Sequence, residues 1–207
     1  MALKSIRTFL LISFIALLCS TIIPAGNVHA LRTDSNGADQ FSLDTFGRLV
    51  QNGHAGQLRG LYIPEILTAP IIQQPTGMDG FISPWQNVVT QFGLASKLGS
   101  TGLLAHTDLA GKSFALLHKG QEFYLTYGNG QISTFVVTEI FQYQALEPTS
   151  PSTSFIDLAN SQILTSSELF TKIYARPGQV ILQTCINAEN KPTWGRLFVI
   201  AEPSSIK

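Results

Sequence analysis

The stretch Val180–Ile200 limits what this chain can fold into more than any other. It reads Val-Ile-Leu-Gln-Thr-Cys-Ile-Asn-Ala-Glu-Asn-Lys-Pro-Thr-Trp-Gly-Arg-Leu-Phe-Val-Ile. The apolar run Val180–Leu182 leads into Thr184 and Cys185. A polar segment with Pro192 and Gly195 follows, and a second apolar run, Leu197–Ile200, begins directly after Arg196. Short apolar runs bounded by turn residues predict strands buried in a sheet. If the two are antiparallel neighbours, the end of the first lies beside the start of the second. Cys185 then faces Arg196 at one rim of the sheet. A thiol beside a guanidinium suits nucleophilic chemistry, because the cation attracts negative charge developing on sulfur or on an attacked carbonyl oxygen.

The N-terminus points to export. Lys4 and Arg7 precede an apolar core, Phe9–Ile23, interrupted only by Ser13, Ser20 and Thr21; Pro24-Ala25-Gly26 breaks it, and Val28-His29-Ala30 ends it as a small-x-small cleavage signal. Residues 1–30 therefore read as a secretory signal peptide. The alternative is an uncleaved membrane anchor, for which the apolar core is short against the roughly 20 residues a span needs. Cleavage after Ala30 removes Cys19 and leaves Cys185 as the single cysteine of an exported chain. It then has no intramolecular disulfide partner, so the choice is between a reactive thiol and a buried cysteine acting as a small hydrophobe.

Residues 31–56 read as a polar stalk with a short helix, because Phe46, Leu49 and Val50 fall at helical spacing and Gly53 follows as a stop. Residues 57–207 form the main domain. Its 44% hydrophobic content, counted over all 207 residues, suffices for one core, and a formal net charge of zero gives no electrostatic basis for a nucleic-acid partner. Leu58–Ile63 and Ile66–Ile72 read as strands broken at Pro64 and bounded by Pro70 and Pro75. Ser83-Pro84 has the form of a helix start, and Trp85, Val88, Val89 and Phe92 then predict an amphipathic helix with Trp85 as a core anchor. Leu103–Ala105 is a short strand delivering His106. Gln121–Tyr127 and Ile132–Tyr143 form a hairpin about Gly128-Asn129-Gly130. Leu146–Lys172 is a crossover with a short helix near Ser167–Lys172. The sum is a mainly β protein, closed or barrel-like, with short helices.

Three histidines remain after cleavage: His54, His106 and His118. His54 and His118 fall in turns and read as solvated surface residues. His106 ends a buried strand, where a rigid scaffold presents side chains to a cleft. Neither paired histidines at metal-ligand spacing nor a cysteine pair is present, so no metal and no cofactor is expected. Glu147, Asp157 and Glu168 in the crossover fit a calcium site no better than scattered surface acids. Cys185, His106 and Arg196 together supply a nucleophile, a proton donor for a leaving amine, and a donor for an oxyanion. The bland alternative is a core cysteine, a turn histidine and an arginine paired with a carboxylate.

The order of these residues resembles the sortase family of cysteine transpeptidases. Leu182-Gln183-Thr184-Cys185 is similar to the family's T-L-x-T-C strand end, Arg196 at the head of the next strand matches its arginine, and Leu103-Leu104-Ala105-His106 is similar to its strand ending in A-G-H. Phe114, Leu116–Gly120 and Tyr124–Thr126 follow a similar run, and Gly60–Pro70 resembles an early I-P-x-I-x-x-P segment. The likeness extends from about Leu58 to Pro203. It implies a closed eight-stranded β-barrel and an exported enzyme that cleaves a C-terminal sorting signal and passes the acyl group to an amine. It implies catalytic roles for His106, Cys185 and Arg196 and places Thr184 and Ala105 at the substrate site. Ala105 stands where the family usually has glycine. Asp108, two residues beyond His106, is a candidate for orienting the imidazole. The implied partners are a peptide or protein bearing a sorting motif and an amine acceptor, with membrane association through the N-terminus if the leader is retained.

The rival from another class is a non-catalytic sortase-like peptide-binding domain that keeps Cys185 and Arg196 for packing or recognition. An L,D-transpeptidase fits poorly, because Thr184 precedes Cys185 where that family has glycine and no histidine lies between His118 and Cys185. Papain-like hydrolases place cysteine before histidine, the reverse of the order here.

Overall fold

The computed structural model describes residues 42–150, 152–188 and 191–204. The leader and most of the stalk expected from the sequence lie outside these residues. Among the described residues no helix is long and apolar enough to cross a membrane.

The elements in chain order begin with α1 (Leu43–Val50), β1 (Leu58–Ile63), β2 (Leu67–Gln73), β3 (Val89–Phe92), α2 (Gly93–Ser96), β4 (Thr101–Leu104) and α3 (Gly111–Phe114). Then come β5 (Glu122–Tyr127), β6 (Ile132–Ala145), β7 (Phe155–Asp157), β8 (Ile163–Leu164), α4 (Ser166–Tyr174), β9 (Val180–Ala188) and β10 (Lys191–Pro203). Hydrogen-bonded neighbours run β10-β9-β4-β3-β2-β1-β5-β6, and β6 pairs back to β10. Eight strands thus close into a barrel, and β7 and β8 extend the sheet outward from β6. Closure leaves those eight without a free edge along the ring. The pairs β2–β3 and β4–β9 are parallel; the others are antiparallel.

Side-chain alternation divides the core in two. Leu103, Phe123, Leu125, Leu182 and Val199 fill the barrel interior. Ile181, Phe198, Ile200 and Tyr143 face outward, where Leu169, Ile173 and Tyr174 of α4 cover them. Strands β9 and β10 are therefore buried on both faces, which is why their sequences run apolar without alternation. A capping box at Thr165 and Glu168 starts α4.

One expected helix is absent. Residues 84–88 are irregular, and Val89–Phe92 is strand β3. The Ser83 hydroxyl accepts only the Trp85 N–H, in a local turn, while the Thr90 hydroxyl accepts from the Ser83 N–H at 2.9 Å. A serine-proline start competes here with β-branched residues that sit better in a sheet. Trp85 is consequently 63% exposed and is not a core anchor. Pro70 lies within β2 rather than ending it. It precedes the β2–β3 pairing, which begins at Ile71, so its missing N–H costs no bond there.

Candidate active site

Cys185 of β9 and Arg196 of β10 are Cα partners in the antiparallel register. Paired residues project to the same side of a sheet. Leu182 and Leu197 point into the barrel and Phe198 points out, so alternation places Cys185 and Arg196 on the outer face. Both are half-buried.

His106 comes from the strand on the other side of β9. The parallel β4–β9 register ends with Leu104 opposite Gln183, and the Ala105 N–H still donates to the Gln183 carbonyl at 3.2 Å. Carrying that register on by two residues brings His106 level with Cys185. Leu103 and Ala105 point inward, so the same alternation directs His106 outward. His106 is exposed. By that register His106, two residues beyond β4, falls next to Cys185, whose partner on the other side is Arg196.

Thr184 and Ala105 occupy the opposite face. Each is 3% exposed. The Thr184 hydroxyl donates to the Ala105 carbonyl at 2.9 Å, tying the chain just before His106 to the chain just before Cys185. The His106 carbonyl accepts from the N–H groups of Leu109 and Gly111, at 3.0 and 2.9 Å, which closes the following turn. A Cβ at Gly111 would sit 2.6 Å from the His106 carbonyl oxygen and 2.8 Å from that of Ala105. Only glycine fits against this turn. Asp108 is exposed; its Oδ1 accepts from Asn187 Nδ2 at 3.4 Å, and no hydrogen bond to His106 is present among the described residues.

Arg196 Nη1 donates to the carbonyls of Thr193 and Gly195 at 3.0 and 2.9 Å. Its guanidinium carbon stands 5.9 Å from the centre of the Phe155 ring. Among the described residues it forms no ion pair with a carboxylate. The cation is held by neutral oxygens and an aromatic face, so its charge is not cancelled by a neighbour.

The row continues across the sheet. Arg196 pairs on its other side with Tyr143 of β6, and Tyr143 pairs with Asp157 of β7. Asp157 is buried, and its Oδ2 accepts from Lys172 Nζ of α4 at 3.3 Å. Burial pushes its carboxyl pKa up, but the Ala159 N–H and the Lys172 ammonium outweigh that and hold it below its ordinary value. The Tyr143 hydroxyl and Asp157 hold the Lys172 ammonium above its ordinary value against the opposing effect of burial. The Tyr143 hydroxyl is buried without a hydrogen-bond partner of normal geometry, and burial raises its pKa. Among the described residues there is no group of three or more metal-ligating side chains.

Gly111, Tyr143, Asn187 and Thr193 were not legible as site residues in the sequence. Tyr143 needs the β6–β10 pairing, and no local signal carries it. The glycine at position 111 was visible but not distinguishable from a turn glycine.

No known family model and no curated protein sequence matches the chain. Solved structures do. Sortase C-1 from Actinomyces oris has a TM-score of 0.49 at 17% identity, over 80% of this chain and 82% of that one. Sortase C1 from Streptococcus suis has a TM-score of 0.49 at 19% identity, over 77% and 76%. Clostridium perfringens sortase C with the C-terminal cell wall sorting motif has a TM-score of 0.43 at 20% identity, over 75% of each chain. These are likenesses only, at TM-scores below 0.5. At these identities the likeness to sortases is one of fold alone. The closed eight-stranded barrel expected from the sequence is the one the strand pairings form.

Proposed function

We propose that this chain is an exported cysteine transpeptidase of sortase type, acting on a peptide or protein with a C-terminal sorting motif and transferring the acyl group to an amine. The observation that carries the reading is the register: Arg196 is the direct partner of Cys185, and the β4–β9 ladder runs toward His106 at the same level. Packing alone requires no such register among a cysteine, an arginine and a histidine on the outer face of the barrel.

The Cys185 sulfur, its proton held by His106, attacks the carbonyl carbon of the scissile peptide bond, and the carbonyl oxygen becomes the oxyanion. Arg196 stabilises that charge; its Nη1 is engaged with its own strand, and the remaining guanidinium N–H groups are the donors for the oxyanion. His106 protonates the leaving amine as the C–N bond breaks, leaving a thioacyl bond to Cys185. An incoming amine then attacks this thioester and gives its proton to His106, which returns it to the Cys185 sulfur as the C–S bond breaks. Arg196 is not the base, because a guanidinium stays protonated. Thr184 and Ala105 act from behind by fixing the two chain segments that carry the reacting groups. The leader read from residues 1–30 supplies the route of export.

The test is intact-mass spectrometry of the protein with a small library of Leu-Pro-x-Thr-Gly-like peptides, with and without an amine. An acyl adduct on Cys185 that clears on adding amine supports the transpeptidase. An adduct that clears only with water makes the chain a peptidase. No adduct on a thiol that still reacts with iodoacetamide leaves an accessible thiol without its substrate, and no adduct on an inert thiol overturns the enzymatic reading in favour of a peptide-binding domain.

A further inference from the structure

Between Lys191 and Gly195, β10 advances four residues while β9 advances two, from Ala188 to Ile186. The excess forms a bulge, and bulges re-aim side chains beside them. Thr193 within it has φ of 63°, a left-handed conformation that a β-branched residue rarely adopts. Such a conformation persists where the surroundings over-determine it. Here every polar group of Thr193 is engaged. Its N–H donates to Asn187 Oδ1 at 3.1 Å, its hydroxyl donates to the Pro148 carbonyl at 3.2 Å, and its carbonyl accepts from Arg196 Nη1 at 3.0 Å. Asn187 then reaches the other way, from Nδ2 to Asp108 Oδ1 at 3.4 Å, in the turn after His106.

We propose that Thr193 and Asn187 are positioning residues that couple the aim of the Arg196 guanidinium to the turn carrying His106. The inference rests on the reading that His106, Cys185 and Arg196 act together, and adds what holds the outer two in register. Closing a hairpin requires neither a carbonyl aimed at the guanidinium nor an amide extended to the turn beyond a third strand. The Asn187–Asp108 link is long and exposed, so the fold loses little without it. The site loses more, because a displacement of about 1 Å at reacting groups costs on the order of a hundredfold in rate.

Three variants separate the links. Asn187→Ala removes both. Asn187→Asp keeps the oxygen that accepts the Thr193 N–H but sets a like charge against Asp108. Asn187→Asp combined with Asp108→Asn restores a donor and an acceptor with their roles exchanged. The readout is the NMR of histidine imidazole and arginine Nε–H groups in the purified chain, with the exposed His54 and His118 as internal references. We expect Asn187→Ala to move the resonances of both His106 and Arg196. Asn187→Asp moves His106 and leaves Arg196, and the double variant returns His106 to its wild-type position, with His54 and His118 still throughout. In peptide cleavage the same single variant loses roughly tenfold in kcat with KM little changed, and the double variant recovers it. Unmoved His106 and Arg196 resonances in Asn187→Ala, or failure of the double variant to restore His106, overturns the coupling. The spectra require no substrate, so inert peptides count against the proposed function and leave the coupling to be decided by the resonances.

Discussion

Cys185 and Arg196 stand directly across from one another on β9 and β10, each the other's Cα partner. The register that sets this pair is enforced by the core. A slip of one residue turns Leu182, Leu197 and Val199 out of the barrel interior and brings Cys185 and Arg196 in. Each fully buried Leu or Val favours the native register by about 1.5–3 kcal/mol. The pairing of thiol and guanidinium is thus maintained by apolar residues inside the barrel, on the face opposite the pair.

Cys185→Ala is expected to abolish peptide turnover while leaving the thermal transition within about 2 °C, because it deletes a half-buried sulfur on an outer face. Arg196→Lys keeps the charge but loses the planar fork, and should lower kcat about 10²–10³-fold. Steady-state kinetics with a cleavable peptide measures both. Turnover by Cys185→Ala at wild-type rate would end the nucleophile assignment.

Gly111→Ala tests the turn behind His106. The added methyl meets the carbonyl oxygens of His106 and Ala105 and the Thr184 hydroxyl, two of the three being backbone atoms with little freedom to retreat. We expect a loss of about 1–3 kcal/mol in urea unfolding, the usual cost of overpacking. Cleavage should fall further than stability explains, measured well below the unfolding transition. A Gly111→Ala protein with unchanged stability and turnover would show that the turn is free to move.

The halves of this fold that follow from local pattern were legible in the sequence. Strands β1, β2, β5, β6, β9 and β10 and helices α1 and α4 lie close to where periodicity and turn residues put them. The segment at Ser83–Phe92 misled because helix-start chemistry and an apolar spacing of three and four coincided in a stretch whose fate is set by pairing with β2 and β4. The site divided along the same line. Cys185 and Arg196 were readable because one short hairpin joins them. Tyr143, Asp157 and Lys172 were not, because they meet through β6–β10 and β6–β7 pairings and the docking of α4, none of which leaves a mark at short range. Trp85→Ala makes the point measurable: at 63% exposure it should change stability by less than about 0.5 kcal/mol, where a core tryptophan would cost about 3–5 kcal/mol.

Tyr143→Phe removes a buried hydroxyl that has no hydrogen-bond partner of normal geometry. Deleting an unsatisfied buried polar group is neutral or favourable, so stability should hold or rise by up to about 1 kcal/mol. The ring stays packed against Phe198, at 5.9 Å between centroids, and the pairing with Arg196 is untouched. Chemical denaturation decides it. A clear loss of stability would mean that the interaction of the hydroxyl with Lys172 outweighs the cost of burying it.

The Asp157–Lys172 pair predicts the edges of the stability plateau. Asp157 has a folded pKa below its ordinary value of 3.8, so the folded state binds its proton less tightly than the unfolded chain does. Its contribution is complete above 3.8 and is lost as pH falls through the lower, folded value. Lys172 has a folded pKa above its ordinary value of 10.5, so its contribution is complete below 10.5 and is lost as pH rises through the higher, folded value. From this pair alone, unfolding free energy should be flat between these limits and fall at either side. Asp157→Asn keeps the acceptor oxygen for the Ala159 N–H and removes the charge, so it should flatten the acid limb and lower the plateau. Because Lys172 is about a third exposed, water offsets part of the loss, and the plateau should drop by less than the roughly 3–5 kcal/mol of a fully buried broken pair. Urea titrations at closely spaced pH values measure the slopes. An acid limb as steep in Asp157→Asn as in the wild type would assign the acid sensitivity to other carboxylates.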